Sequence, residues 1–328
     1  MKIVITGGTG FIGQGIAREL LKRGTVTGPS GAQEEIDCIQ LFDQTVPGEG
    51  SHGLDDRVSI VSGDISDRDT VFGLIDRDDI SVFHLASVVS AEGERDFDLA
   101  MRVNLEGGHN VLEAARARQT RPRVVFASSL AVFGGDDLPS TVTDTTKQTP
   151  QTTYGITKSI GENMINDYTR KGFIDGRSAR LATVVVRPGK PNAAASSFCS
   201  GVIREPLHGK ECRLPVGRDT QMALIGARTC VESFIALHEV DGDELGKDRA
   251  TNIGSATWTV AEMIEALEIV AARRGIALGL IVDNPLPEIQ AIVSGWPTHM
   301  ARTRADAFGF PQDDDMEQII EDFIDDHM

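Results

Sequence analysis

The sequence predicts an α/β fold: a doubly wound parallel sheet with a smaller C-terminal substrate-binding lobe. Three observations predict it. Short apolar runs alternate with stretches of helical periodicity from residue 2 to about residue 188. The runs are apolar almost without a break, as strands buried on both faces are. The first run ends in a glycine-rich turn that opens directly into a helical stretch.

Taken in order, "KIVITGG" reads as the first strand and "FIGQGIARELLKRG" as a helix closed by Gly24. "TVTGPSGAQEE" is polar and reads as a loop. "IDCIQLFD" and "RVSIVSGD" are the second and third strands, and "SDRDTVFGLIDR" is a helix with Ser66 as its cap. "ISVFHLAS" is a fourth strand, residues 97–118 a long helix despite paired glycines, and "RVVFASS" a fifth strand. A polar loop over 134–153 leads into a helix at "TYGITKSIGENMI", and "RSARLATVVVRPG" is the sixth strand. After residue 188 small residues and turns dominate, followed by helices at 227–240 and 259–275 with a strand at "RATNIG" between them. The acidic tail carries Ile319, Ile320, Phe323 and Ile324 at helical spacing, so it reads as a surface helix. The expected division is a dinucleotide-binding domain over 1–187 with returning elements at about 226–256. The lobe takes 188–225 and 257–328.

Composition narrows the function classes. A net charge of −17 makes nucleic acid and anionic membranes poor partners. The N-terminus is too short in apolar residues for a signal peptide or a span, and no other run approaches membrane length. The four cysteines show no metal-site or disulfide spacing, which favours a reducing, cytoplasmic setting. No metal site is expected.

The first turn contains Gly7, Gly10 and Gly13 in a G-x-x-G-x-x-G pattern, with Phe11 and Ile12 between the last two. Glycines permit a tight turn and a close approach to a pyrophosphate, and the helix start offers N–H groups to it. This is the Rossmann-type arrangement for a dinucleotide. Asp43 ends the second strand, where a carboxylate can bind the adenosine ribose and repel a 2′-phosphate, favouring NAD. The alternative for Asp43 is a solvated loop residue. Asp64, followed by Ile65, ends the third strand and reads either as an acceptor for the adenine amine or as a turn former. Leu85, Ala86 and Ser87 end the fourth strand with the small residues a flat cofactor needs, and Pro188 follows the sixth. His84 reads as packed beside the sheet.

Tyr154 and Lys158 lie one helical turn apart and face one way. Alone, such a pair is common on helices. Here it follows the glycine turn, "HLAS", Asn104 in "RVNLEGGHNVLEAA" and "VVFASSLAVFG", and precedes "VVRPG". In that order these motifs resemble the extended short-chain dehydrogenase/reductase superfamily, which includes nucleotide-sugar epimerases and dehydratases. The resemblance spans nearly the whole chain. It implies Ser129 as the serine that steadies the substrate oxygen and Asn104 as support for a proton-relay water. It also implies a dimer. Free tyrosine, with a pKa near 10, is a poor base at neutral pH. A lysine ammonium and a positive nicotinamide ring favour its phenolate, so Tyr154 can take a hydroxyl proton while Ser129 donates to the oxygen. Lys158 can also hold the nicotinamide ribose.

A narrower resemblance rests on "VVRPGKPNAAASSF…GVIREPLHGKE", "LFDQTVP" and "GWPTHMARTRADAFGF". These segments are similar to the D-erythronate dehydrogenase subgroup. That implies NAD-dependent oxidation of a four-carbon sugar acid at C2, giving the 2-oxo acid. A sugar acid needs a cation for its carboxylate. Arg187, Lys190, Arg204 and Arg213 lie at or after the sixth strand, and Arg187 and Lys190 are favoured because "RPGKPN" borders the nicotinamide. Ser87, Ser90 and Asn192 are expected to bind substrate hydroxyls, with Ser196 a weaker candidate. Two alternatives stand: a nucleotide-sugar 4-epimerase or dehydratase, and an NAD-sensing regulator without turnover. Aromatic residues make up only 5% of the chain, few for stacking on a nucleotide base. Leu130 and Ala131 follow the serine where a dehydratase would often place carboxylates.

Overall fold

The computed structural model describes residues 1–45, 55–191, 194–254 and 256–328. Strand β1 (Lys2–Thr6) is buried throughout and central. Helix α1 (Phe11–Arg23) ends at Gly24, whose φ of 73° and N–H bond to the Leu20 carbonyl close the last turn. Residues 25–35, expected as a loop, form a hairpin of β2 (Thr25–Thr27) and β3 (Gln33–Glu35). The reason lies far along the chain: Glu239 accepts from both the N–H and the hydroxyl of Thr27.

Strands β4 (Cys38–Asp43) and β5 (Val58–Ser62) extend the sheet on one side. Helix α2 (Arg68–Leu74) is capped by Asp67 and not by Ser66: the Asp67 carboxylate accepts from Asp69 N–H, while Ser66 donates to Asp64. After β6 (Ile80–His84) come α3 (Ser90–Arg95), α4 (Phe97–Ala100), a π-helical stretch (Met101–Glu106) and α5 (Gly107–Arg116). The long helix expected over 97–118 is thus widened in its middle. A Cβ on Gly107 would meet the Ile65 side chain at 2.6 Å, so glycine lets this helix lie against the turn after β5.

Strand β7 (Arg123–Ser129) runs into a 3-10 turn, Leu130–Val132. Two-residue β8 (Thr141–Val142) lies within the expected loop, and α6 (Thr153–Arg170) carries Tyr154 and Lys158. The sixth strand is divided. β9 (Asp175–Leu181) stays in the main sheet, and after Ala182, β10 (Thr183–Val185) joins a second sheet. The segment read as small residues and turns contains α7 (Ser197–Leu207), because Phe198, Cys199, Val202, Ile203 and Leu207 recur at helical spacing and are buried. Then follow β11 (Cys212–Leu214), β12 (Gln221–Gly226), α8 (Ala227–Glu239), β13 (Ala250–Ile253) and β14 (Ala256–Thr259). The chain ends with α9 (Val260–Arg274), β15 (Ile281–Asp283), α10 (Pro287–Ser294), β16 (His299–Met300), α11 (Thr303–Ala307) and α12 (Met316–His327).

The main sheet has the order β13-β9-β7-β6-β1-β4-β5, with every neighbouring pair parallel. Alternation along β1 shows the double winding: Ile3 and Ile5 pack with α1 and α8, and Val4 packs with α2, α5 and α6. The second sheet, β10-β12-β14, builds a separate core with α7, α9 and α12. Ile319, Ile320, Phe323 and Ile324 of the acidic tail are buried there. The chain leaves β1 for β4 and β5 and returns to β6 on the other side. Ligands bind at such a reversal, beyond the strands' carboxyl ends.

Candidate active site

A cleft of about 570 Å³ opens there. Gly7, Gly10, Phe11, Ile12 and Gly13 form one wall. Gly7 has φ +67°, and a Cβ on it would meet the Ala86 backbone N at 2.9 Å. The turn and the end of β6 therefore touch, which only glycine permits. No side chain caps the first N–H groups of α1, so they remain available to an anion. Asp43 lines the cleft, and one carboxylate oxygen accepts from the Thr9 N–H at 3.2 Å and the Thr9 hydroxyl at 2.7 Å. Asp64 and Ile65 border the same end. One Asp64 oxygen is held by the Ser66 hydroxyl and N–H, which lower its pKa with help from the Arg102 charge.

Leu85, Ala86, Ser87 and Ser90 continue the wall. His84 is buried and bonded through Nδ1 to the Thr6 hydroxyl at 2.8 Å. Burial, and then the Lys158 charge, push its pKa down to about 3, so it is neutral and packed beside the sheet. The Ser87 hydroxyl is within bonding distance of the Val88 carbonyl at 3.1 Å and of Asn104 Oδ1 at 3.2 Å.

At the far end of β7, Ser129 lines the cleft beside Tyr154. Thr152 caps α6 by accepting from the Gly155 N–H at 3.1 Å. A Cβ on Gly155 would lie 2.1 Å from the Ala131 carbonyl oxygen, so glycine lets the start of α6 press on the turn after β7. That contact brings Tyr154 to Ser129. The Lys158 Nζ donates to the Ala127 carbonyl at 2.7 Å and lies 5.4 Å from the Tyr154 ring centre. Burial pushes Lys158 down to about 7 and Tyr154 up, with Ser129 partly opposing the latter shift. The protein alone therefore raises the phenol pKa, where the sequence argument expected a lowering. The expected lowering rested on a lysine ammonium and a positive nicotinamide ring together, and burial opposes it.

Four sequence-derived candidates lie off the cleft wall: Asn104, Pro188, Lys190 and Arg213. Asn104, in the π-helical stretch, accepts from Val88 N–H at 2.8 Å and donates to the Val88 carbonyl and to Thr157 Oγ1. Its amide clips the loop after β6 to α6. Pro188 is half-buried and Lys190 is exposed, and neither borders the cleft. Asn192 lies outside the described residues. Arg187 does line the cleft, its guanidinium 5.9 Å from the Phe11 ring centre. Arg204 also lines it, but its side chain is committed to Glu205 and to the Arg187 carbonyl. Arg213 is on β11 with Glu211, away from the cleft.

Sequence reasoning missed Trp296, Ser200, Glu92 and Arg102 on the cleft wall. Ser200 precedes Arg204 by one turn of α7, so helical spacing carried a signal there. Trp296 follows α10, and nothing local marks it. Among the described residues, no group of three or more His, Cys, Asp or Glu side chains can hold a metal, and no helix can cross a membrane.

The glycine turn, the uncapped helix start and Asp43 fit a dinucleotide. The model of the NAD dependent epimerase/dehydratase family matches residues 3–254. A D-erythronate dehydrogenase of Cupriavidus necator is 44% identical over 331 residues, covering 99% of this chain and 98% of its own. A second D-erythronate dehydrogenase, of Haemophilus influenzae, is 38% identical over 325 residues and 99% of each chain. The crystal structure of a nucleoside-diphosphate-sugar epimerase from Agrobacterium tumefaciens matches with a TM-score of 0.89 at 36% identity, over 99% of this chain and 94% of that one. The chain belongs to the NAD dependent epimerase/dehydratase family. It is an NAD-dependent dehydrogenase.

Proposed function

We propose that this chain oxidises a small sugar acid, D-erythronate or a related tetronate, at C2 to the 2-oxo acid. The carrying observation is the Ser129–Tyr154–Lys158 cluster in a cleft whose Arg187 has no acidic partner among the described residues. Two full-length relatives named D-erythronate dehydrogenase support the substrate. Bound NAD supplies the hydride acceptor. Tyr154 takes the proton of the C2 hydroxyl, and Ser129 donates to that oxygen as charge develops. Lys158, when protonated, offsets the burial that raises the phenol pKa and holds the cofactor ribose. Arg187 receives the substrate carboxylate, with Ser90 beside the sugar hydroxyls. Of the two favoured cations, Lys190 is set aside by its place off the cleft.

The epimerase-named neighbour favours one rival, a nucleotide-sugar substrate. NADH formation on D-erythronate, L-threonate and UDP-glucose separates the two, and activity confined to UDP-glucose overturns the proposal. Tyr154→Phe is expected to lose at least ~100-fold in kcat with NAD affinity unchanged. A variant that keeps its rate removes the base assignment. The remaining parts of the reading are a homodimer through the outer face of α6 and a cytoplasmic setting. The exposed Ile156 and Ile160 support the first, and the four free thiols the second.

A further inference from the structure

The side chains that hold α6 against the sheet extend beyond the reacting groups. Glu162 lies one turn past Lys158 and is 2% exposed, and Arg180 on β9 is 3% exposed. Arg180 grips the Glu162 carboxylate through Nε at 3.0 and 3.1 Å and through Nη2 at 2.7 Å. Its Nη1 donates to the Asp144 carbonyl at 2.7 Å. The same carboxylate accepts from the Ser128 hydroxyl and the Gln148 amide, and Gln148 accepts in turn from Ser159.

Ser128 is the residue before Ser129 and is 1% exposed. Helix α6 therefore meets three successive residues of β7. Lys158 binds the Ala127 carbonyl, Glu162 binds the Ser128 hydroxyl, and Tyr154 lies beside Ser129. A buried ion pair is weak evidence of stability, because well-packed apolar side chains often serve as well. What such a pair can do is fix one register.

We propose that Glu162, clamped by Arg180, is a positioning residue for the reaction. Through Ser128 it fixes the height of α6 on β7, and so the spacing of Ser129, Tyr154 and Lys158. The kinetic part rests on the acid–base reading above, while the spectroscopic part below needs no substrate. The two readings can therefore fail separately.

The chain has two tyrosines, Tyr154 and Tyr168, so fluorotyrosine labelling gives two resonances, which Tyr168→Phe assigns. Ser128→Ala removes the link to β7 and leaves Glu162 paired. It is expected to shift the Tyr154 resonance and its titration midpoint. It should also lower kcat about tenfold with KM for NAD unchanged and melting shifted by only a few degrees. Glu162→Gln keeps an oxygen for Ser128 but leaves Arg180 uncompensated. It is expected to melt lower while holding Tyr154 closer to its wild-type titration. An unmoved Tyr154 resonance in Ser128→Ala overturns the proposal whatever the rate does. A moved resonance with unchanged turnover overturns its link to catalysis, and equal losses of rate and melting temperature in both variants mark a structural pair only.

Discussion

Lys158 is 3% exposed, and its burial pushes the ammonium down to about 7. Between there and the ordinary value near 10.5, the unfolded chain holds a proton that the folded chain does not. Stability contributed by this site therefore rises with pH across that window, by at most ~1.4 kcal/mol per unit. Below pH 7 both states are protonated and the contribution is flat. Denaturant melts of wild type and Lys158→Met at several pH values check this: the difference should change between pH 7 and 10.5, and a constant difference contradicts the lowered pKa. Asp43 gives a second residue-scale expectation. If Asp43 faces the adenosine ribose, as expected of a carboxylate at this strand end, Asp43→Ala should cut the NAD over NADP preference in kcat/KM about tenfold. An unchanged ratio assigns cofactor choice to another residue. Both residues were legible because a strand end or a helical spacing marked them. Asn104 was legible as a position, but its partners Val88 and Thr157 fixed what it touches.

At the scale of the element, α6 has an inner and an outer face. The inner face carries Tyr154, Lys158 and Glu162 toward β7. Ile156 and Ile160 on the outer face are 45% and 38% exposed, large values for isoleucine one turn apart. If this face joins two subunits, Ile160→Asp places a charge in the interface and should convert a dimer to a monomer in sedimentation. A monomeric wild type contradicts the homodimer. Periodicity made this helix readable, as it did α1 and α12. It could not reveal the β2–β3 hairpin, whose anchor Glu239 is 212 positions from Thr27. Nor could it reveal the end of β9, because "RLATVVV" is apolar on both sides of the break. Helix α7 was obscured by the glycine, serines and proline within a buried stripe.

For the whole molecule, the doubly wound sheet was legible from alternation, since buried parallel strands write themselves as unbroken apolar runs. The second core was not, because its parts come from segments far apart in sequence: β10, α7, α9 and α12. The last of these closes it, and Arg273 and Arg274 on α9 are paired with Glu317, Glu321 and Asp325 across the surface. Such exposed pairs contribute little each, so the apolar face carries the attachment. Phe323→Ala should cost about 3–5 kcal/mol in denaturant unfolding, and a loss below 1 kcal/mol would mean that α12 is dispensable to this core.

The two sheets are joined by very little chain. A single residue, Ala182, separates β9 from β10, and α8 begins at the residue after β12 ends. Ala182 and its neighbours Leu181 and Thr183 also line the cleft. Mechanically the two halves are welded and not hinged: a wide jaw motion would have to unpair strands or bend the floor on which the ligands lie.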